Sequence, residues 1–323
     1  MVIDKSRVRR HFDRHAHEYE RYAVVQAAMA EEVATAALGA LRGTMRGRNA
    51  SGRLDLAAGT GREEYRCEAR ILEIGCGTGR LTAALARALP EARFVCIDLS
   101  ANMIAAARQN LAHWQLDPDG NERVTFLEGD AETLVAEGES FSVVASDAGS
   151  GLEEPGRRLG FDLIVSNAAF QWFAAPHRTI QACLRLLRPG GALVFSTFGP
   201  GTFRQLHASF AEAERLLGLD AVPHGQSFAG EAGWRECFAG ADGTFRWSGR
   251  VVTETSQDVR AFLHGVKRIG AGNAVVGGHP GVGGRKLLET MERIYTGKFA
   301  APGGGVETDY ELGFGIFLRA DLA

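Results

Sequence analysis

The sequence predicts an α/β fold: a doubly wound, mostly parallel Rossmann-like sheet with an N-terminal helical lid and a helical substrate cap. Three observations predict it. Between residues 70 and 198, short apolar runs alternate with amphipathic stretches of helix length, the rhythm of parallel strands joined by right-handed crossovers. A glycine-rich turn follows the first of those runs and opens the first of those helices. After Phe198 the rhythm gives way to longer helical stretches with two late strand-like runs.

Residues 1–42 read as the lid. The start, "MVIDKSRVRRHFDRHAHEYERY", is charged and lacks the apolar centre of a signal peptide. The apolar stretch from Val24 to Leu41 holds Glu31 and Glu32 and keeps a helical period through Val25, Met29, Val33, Ala37 and Leu41. It is therefore expected to be an amphipathic helix, with no membrane partner, in a cytoplasmic protein. Residues 43–69 are an insertion or loop, rich in Gly, Arg and Glu.

The core spans 70–198. "RILEIG" is the first strand, followed by a helix from Arg80 to Leu89 with Leu81, Leu85 and Leu89 on one stripe. "RFVCIDLS" is the second, followed by a helix at 101–113 that Ser100 can cap. "RVTFLEGD" and "FDLIVSN" are the third and fourth, separated by an insertion at 136–160. "HRTIQACLRLLRPGG" reads as a helix stopped by Pro-Gly-Gly, and "ALVFSTF" as the fifth strand. Residues 199–323 hold the cap and the last strands. Helices are expected at 202–217, in "VRAFLHGVKRIG" and in "GRKLLETMERIY", and strands in "FRWSGRVVTET" and "ELGFGIFLRA". The stretch "GAGNAVVGGHPGVGG" is too glycine-rich for regular structure.

Composition bounds the function. The 323 residues are 45% hydrophobic with net charge −3, which suits one elaborated domain and supplies no basic field for nucleic acid. The five cysteines are scattered and form no C-x-x-C, so they read as buried free thiols. His11 and His15 are four apart with His17 nearby, but no carboxylate or cysteine set completes a site. That stretch reads as a solvent-facing helix, and no metal is expected.

Two stretches end Gly-Thr-Gly-Arg: "RLDLAAGTGREE" at 53–64 and "RILEIGCGTGRLT" at 70–82. After Gly61 only eight residues precede the next apolar run, whereas a crossover helix needs about a dozen. After Gly79 the helix fits, and the next strand ends at Asp98, 23 residues beyond Gly75, where an acid can grip ribose hydroxyls. The second turn is the binding turn; the first is a surface loop. That turn reads Glu73-Ile-Gly75-Cys-Gly77-Thr-Gly79, with Arg80 where a dinucleotide fingerprint has glycine. Gly75 and Gly77 allow close approach, while Glu73 would repel a pyrophosphate and attract an ammonium or sulfonium. The cofactor implied is S-adenosylmethionine. Arg80 and Glu73 weigh against a nicotinamide-dependent oxidoreductase.

These residues, with "LRPGG" before the fifth strand, resemble the class I S-adenosylmethionine-dependent methyltransferases. The resemblance implies that Gly75, Gly77 and Gly79 contact the methionine part, that Asp98 holds the ribose and that Asp130 of "LEGDAE" meets the adenine, with Ala131 and Met103 beside it. Met103 reads equally well as an ordinary core residue. "FDRHAHEYERYAVVQ", "SNAAFQW", "FSTFGPGTFRQLHASF" and "FLHGVKRIGAGN" are together similar to the malonyl-acyl-carrier-protein methyltransferases of biotin synthesis. "SNAAFQW" is also similar to trans-aconitate methyltransferases.

The resemblance implies esterification of a free carboxylate on malonyl acyl carrier protein, or on malonyl-CoA. Such a carboxylate is ionised at neutral pH and needs no general base, so the site requires alignment and exclusion of water. Tyr19 and Tyr22 are candidates for the lid. Asn167, Phe170, Gln171 and Trp172 follow the fourth strand, where amides can hold a carboxylate or the cofactor, Asn167 being a candidate for both, and aromatics exclude water. Arg268, with Lys267, is the candidate partner for the carboxylate. Basic stretches ("RVRR", "RGTMRGR", "GRK") could dock an acidic carrier. A methyltransferase of another small acid, such as trans-aconitate, and a non-catalytic cofactor-binding scaffold are the rival readings. A nucleic-acid methyltransferase is disfavoured, because Asn167-Ala-Ala-Phe170 replaces the Asn/Asp-Pro-Pro-aromatic turn.

Overall fold

A computed structural model of the chain describes residues 3–45, 68–116, 123–137, 160–269 and 282–321. The first glycine turn, the interiors of both insertions, the glycine-rich stretch from Gly270 to Gly281 and Cys67 lie outside the described residues.

Seven strands form one sheet: β1 (Arg70–Ile74), β2 (Arg93–Asp98), β3 (Val124–Glu128), β4 (Phe161–Asn167), β5 (Leu187–Phe198), β6 (Gly243–Ser256) and β7 (Val306–Arg319). Their spatial order is β3-β2-β1-β4-β5-β7-β6. The first five neighbours pair in parallel, and β7 is antiparallel to both β5 and β6. The order reverses between β1 and β4, and this switch point is where doubly wound sheets hold ligands.

Burial explains the apolar runs. Phe161 through Ser166 of β4 are all buried, as expected of a strand covered on both faces. One face carries α3 (Val24–Met45), whose Val25, Met29, Val33, Ala37 and Leu41 join Leu163, Val165, Val194 and Phe314 in one core. Its stretch Val24–Gly43 is long and apolar enough to match a membrane span, but here its stripe is the packing face of the sheet. The other face is covered by α7 (Pro176–Leu186) and α9 (Glu231–Cys237). Helices α8 (Arg204–Leu217), α10 (Val259–Arg268) and α11 (Val282–Lys298) share a separate core of Phe203, Leu206, Phe210, Phe262, Met291 and Tyr295.

Helix starts follow their caps. The Ser100 hydroxyl accepts from Met103 N at 3.1 Å at the start of α5 (Ala101–His113), as its sequence position predicts. Asp4 does the same for α1 (Lys5–His15), accepting from Arg7 N at 3.0 Å. Several expectations are corrected. The Pro-Gly-Gly after α7 lies within β5, which begins at Leu187, and Gly190 takes φ +67. Helix α9 has only seven residues, too short for its period to announce it. The histidine-bearing helix is not wholly solvent-facing: His15 is buried and its Nδ1 lies 3.3 Å from Glu18. Cys76, Cys96, Cys183 and Cys237 are buried free thiols, as expected.

Candidate active site

The glycine turn sits on the end of β2. The Gly75 and Cys76 amides both donate to the Ile97 carbonyl, at 2.8 and 3.0 Å, which folds the loop over the strand ends. All three glycines take positive φ, and each does so for a different reason. A Cβ on Gly75 would lie 2.4 Å from that of Ala169, so this glycine lets the loop after β4 come close. A Cβ on Gly77 would meet nothing within 4 Å and would project into open space. Gly79 caps α4 (Arg80–Ala88) and backs onto Ala107 of α5, where a Cβ would approach to 3.1 Å.

A cavity opens above this loop, with about 660 Å³ of empty space that is partly open to solvent. Gly75, Gly77, Asp98, Met103, Asp130 and Ala131, which the resemblance puts at the cofactor, line it together with Asn167. Asp98 is its chemical centre. Its Oδ2 accepts from Gly77 N at 2.8 Å and its Oδ1 from Ser100 N at 2.9 Å, tying the glycine loop to the start of α5. Burial pushes its carboxyl up to about 6, against the pull of those amides. Each oxygen keeps a second lone pair.

Gly79 and Glu73 are not on the cavity wall. Gly79 serves helix packing. Glu73 lies beneath the loop, 1% exposed, its Oε2 accepting from the Thr82 hydroxyl at 2.5 Å. Burial raises its carboxyl to about 8, so it is protonated at neutral pH and presents no charge to a ligand. Strand alternation explains the correction, because Glu73 shares its side of β1 with Ile71, in the core under α4. Arg80, which replaces the dinucleotide glycine, binds the lid: its Nε donates to Glu20 at 3.0 Å.

The N-terminal segment, through Lys5, Val8, Phe12 and Tyr19, borders this cavity. Lys5 Nζ donates to Asp130 Oδ1 at 2.8 Å and lies 2.6 Å from Glu132, while Asp13 accepts from the Ser100 hydroxyl at 2.6 Å. Helix α1 is thereby fastened to the loops after β2 and β3. A second cavity of about 490 Å³ lies beside the first, and the two share Phe12, Tyr19, Ala168 and Trp172 as a common wall. Phe12 stands edge-on to both Tyr19 and Trp172, with centroids 6.4 and 5.8 Å apart. The remaining wall is Gln26, Gln171, Phe198, Thr202, Phe203, Gln226, Phe228, Ile269 and Tyr310. Among the described residues none of this second wall is charged.

The residues after β4 divide between wall and core. Asn167 is held at both ends: its Nδ2 donates to the Gln26 carbonyl at 3.0 Å and its Oδ1 accepts from the Ser196 hydroxyl at 2.7 Å. Gln171 reaches the second cavity, its Nε2 donating to the Ala168 carbonyl at 2.6 Å. Phe170 does not. It turns into the core, 1% exposed, among Phe173, Phe195 and Trp234. In the 3₁₀ turn Phe170–Trp172 successive side chains point about 120° apart, so the turn that gives Trp172 to the wall takes Phe170 from it. Tyr22 packs against His264 and is on neither wall.

Arg268 is also placed elsewhere. It donates to Glu18 and to His264 Nε2, pinning the lid to α10, and Lys267 is exposed. The neighbour Ile269 takes the position on the cavity wall. Sequence reading missed Lys5, Phe12, Gln26, Phe198, Gln226, Phe228 and Tyr310. Phe12 and Gln26 bracket the motif "FDRHAHEYERYAVVQ", but nothing in it distinguishes them from core residues.

The glycine loop sits on the switch point and an acid ends β2, and residues 72–193 match the model of a methyltransferase domain, which makes the chain a methyltransferase. Relatives extend the match to almost the whole chain. It is 34% identical over 306 residues to a malonyl-[acyl-carrier protein] O-methyltransferase of Paenibacillus sp. (strain JDR-2), covering 94% of this chain and 95% of that one. It is 33% identical over 319 residues to the protein of that name from Brevibacillus brevis, covering 98% and 96%. For the Geobacter sulfurreducens protein of that name the identity is 33% over 327 residues, covering 98% and 100%. The chain belongs to this O-methyltransferase family.

It is an S-adenosylmethionine-dependent enzyme, and the first cavity fits that cofactor. The space above Gly77 is one that a side chain would fill, and the Asp98 carboxylate has acceptor sites left for a diol.

Proposed function

We propose that this enzyme esterifies the free carboxylate of a malonyl thioester on acyl carrier protein, an early step of biotin synthesis in the cytoplasm. The names of its relatives support this substrate. The observation that carries the reading is the shared wall: the cavity over the glycine loop abuts a chamber that is uncharged among the described residues, across Phe12, Tyr19, Ala168 and Trp172. In this reading Asp98 takes the ribose, Asp130, Ala131 and Met103 border the adenine, and Gly75 and Gly77 admit the methionine part.

When bound, S-adenosylmethionine supplies a methyl group on a sulfonium sulfur, which keeps the bonding electron pair when the methyl leaves. The chain's own part is alignment and dryness. Asn167, clamped by Ser196 and the Gln26 carbonyl, fixes the end of β4 between the two cavities. Phe12, Tyr19 and Trp172 exclude water from the acceptor oxygen, which raises its reactivity. The acceptor carboxylate arrives ionised, no proton moves, and no general base is required.

Transfer of a labelled methyl group tests this. A malonyl thioester should be methylated, at a rate flat across neutral pH, and an acetyl thioester should not. Equal labelling of both would show that the free carboxylate is not the acceptor.

A further inference from the structure

Resting on that reading, we propose that the acceptor's carboxylate is received by the Gln26 side-chain amide, an uncharged donor, and by no cation among the described residues. Among the described residues the chamber's polar side chains are Tyr19, Gln26, Gln171, Thr202, Gln226 and Tyr310. Most are already engaged. Gln171 bonds at both ends, donating to the Ala168 carbonyl and accepting from Thr197. The Thr202 hydroxyl donates to the Glu311 carbonyl at 3.2 Å and accepts from its amide at 3.1 Å. Gln226 donates to the Gln171 carbonyl.

Gln26 differs. It is 8% exposed, lines the chamber, and its side-chain amide has no hydrogen-bond partner among the described residues. Its backbone carbonyl is what Asn167 holds, so the residue is positioned from the same element that ends β4. Its amide nitrogen and oxygen are not among the fully enclosed unpaired atoms, so they open onto the chamber and can bond what enters it. Among the described residues the Tyr19 and Tyr310 hydroxyls also lack partners, but they feel negative neighbours, Glu20 and Asp98 for one and Glu254 for the other. Those surroundings disfavour a second anion.

An amide also suits the chemistry better than the guanidinium of Arg268, which is committed to Glu18. Esterification consumes the acceptor's negative charge. A fixed cation on the wall would therefore hold the reactant carboxylate more tightly than the transition state, raising the barrier. A neutral donor orients the oxygen with less of that penalty.

The test uses the full-length enzyme with Gln26→Met, which keeps the length and the backbone bond, and Gln26→Glu, which places a like charge in the chamber. Malonyl thioester KM is measured by turnover, and its dissociation constant by calorimetry with S-adenosylhomocysteine present. Loss of one bond to a charged group should weaken the malonyl thioester about ten- to a hundredfold in Gln26→Met. Gln26→Glu should be weaker still at neutral pH, and cofactor affinity should hold within about twofold in both. Unchanged acceptor affinity in Gln26→Met, or a loss of cofactor affinity in that variant, would overturn the inference. If the wild type ignores malonyl thioester and methylates trans-aconitate, the substrate reading fails instead. The Gln26 inference is then decided by the same variants with that acid.

Discussion

Replacing Asp98 by alanine gives the most quantitative prediction for the cofactor cavity. The carboxylate already spends one acceptor site on each oxygen, to Gly77 N at 2.8 Å and to Ser100 N at 2.9 Å. Burial raises it from 3.8 to about 6, which at 1.36 kcal/mol per unit makes ionisation in the fold about 3 kcal/mol harder than in the unfolded chain. The sign is that of a raised acid: its contribution to stability is full below pH 3.8 and is lost as pH rises to about 6. Two ribose hydroxyls donating to the remaining sites add charge-assisted bonds of roughly 1.5–3 kcal/mol each. Asp98→Ala should therefore weaken cofactor binding about a hundredfold, with about tenfold as the floor if water fills the vacated space. Cofactor binding favours the ionised form, so wild-type affinity should fall as pH drops below about 6 and the variant should be flat. Calorimetry across that range reads both. A dissociation constant unchanged in Asp98→Ala, or a wild-type affinity flat through the acid limb, would refute the assignment.

Glu73→Gln should leave cofactor affinity at neutral pH nearly intact, because the native carboxyl is neutral there. It should also remove the loss of stability, up to about 5 kcal/mol, that a carboxyl raised from 4.5 to about 8 imposes as pH rises through that window; urea melts of both proteins that track each other with pH would contradict this. Gly77→Ala should fold with about 1–2 kcal/mol of backbone strain yet lose cofactor affinity, its Cβ entering open space on the cavity wall. Gly79→Ala, crowding Ala107, should lower the melting temperature while the folded protein still binds. Arg268→Ala should weaken lid closure, raising KM for cofactor and acceptor alike by less than about tenfold, with wild type and variant converging in high salt. A loss confined to the malonyl thioester would restore Arg268 as the carboxylate's partner.

The sheet was legible because β1, β2, β4 and β5 are buried along most of their length and read as apolar runs, and because each crossover helix keeps a clean stripe. Asp98 and Asp130 were legible too, since position at a strand's end is a matter of chain order alone. Side-chain direction was not. Glu73 looks ligand-facing by its place two residues before Gly75, but the pleat turns it under α4 into the core. Phe170 and Trp172 belong to one motif, and only the rotation of a short 3₁₀ turn separates core from wall. Arg268 has the right charge for a carboxylate, but its partner, Glu18, lies 250 positions away in the chain. Gln26 gave no signal because what marks it is the lack of a partner, which only packing reveals.

The most direct test of malonyl thioester esterification is a competition. Purified enzyme is given labelled S-adenosylmethionine, malonyl acyl carrier protein and trans-aconitate together, and the methylated products are separated by mass. The expected result is the methyl ester of the malonyl group on the carrier, with little label in trans-aconitate. Label in trans-aconitate and none on the carrier would contradict it.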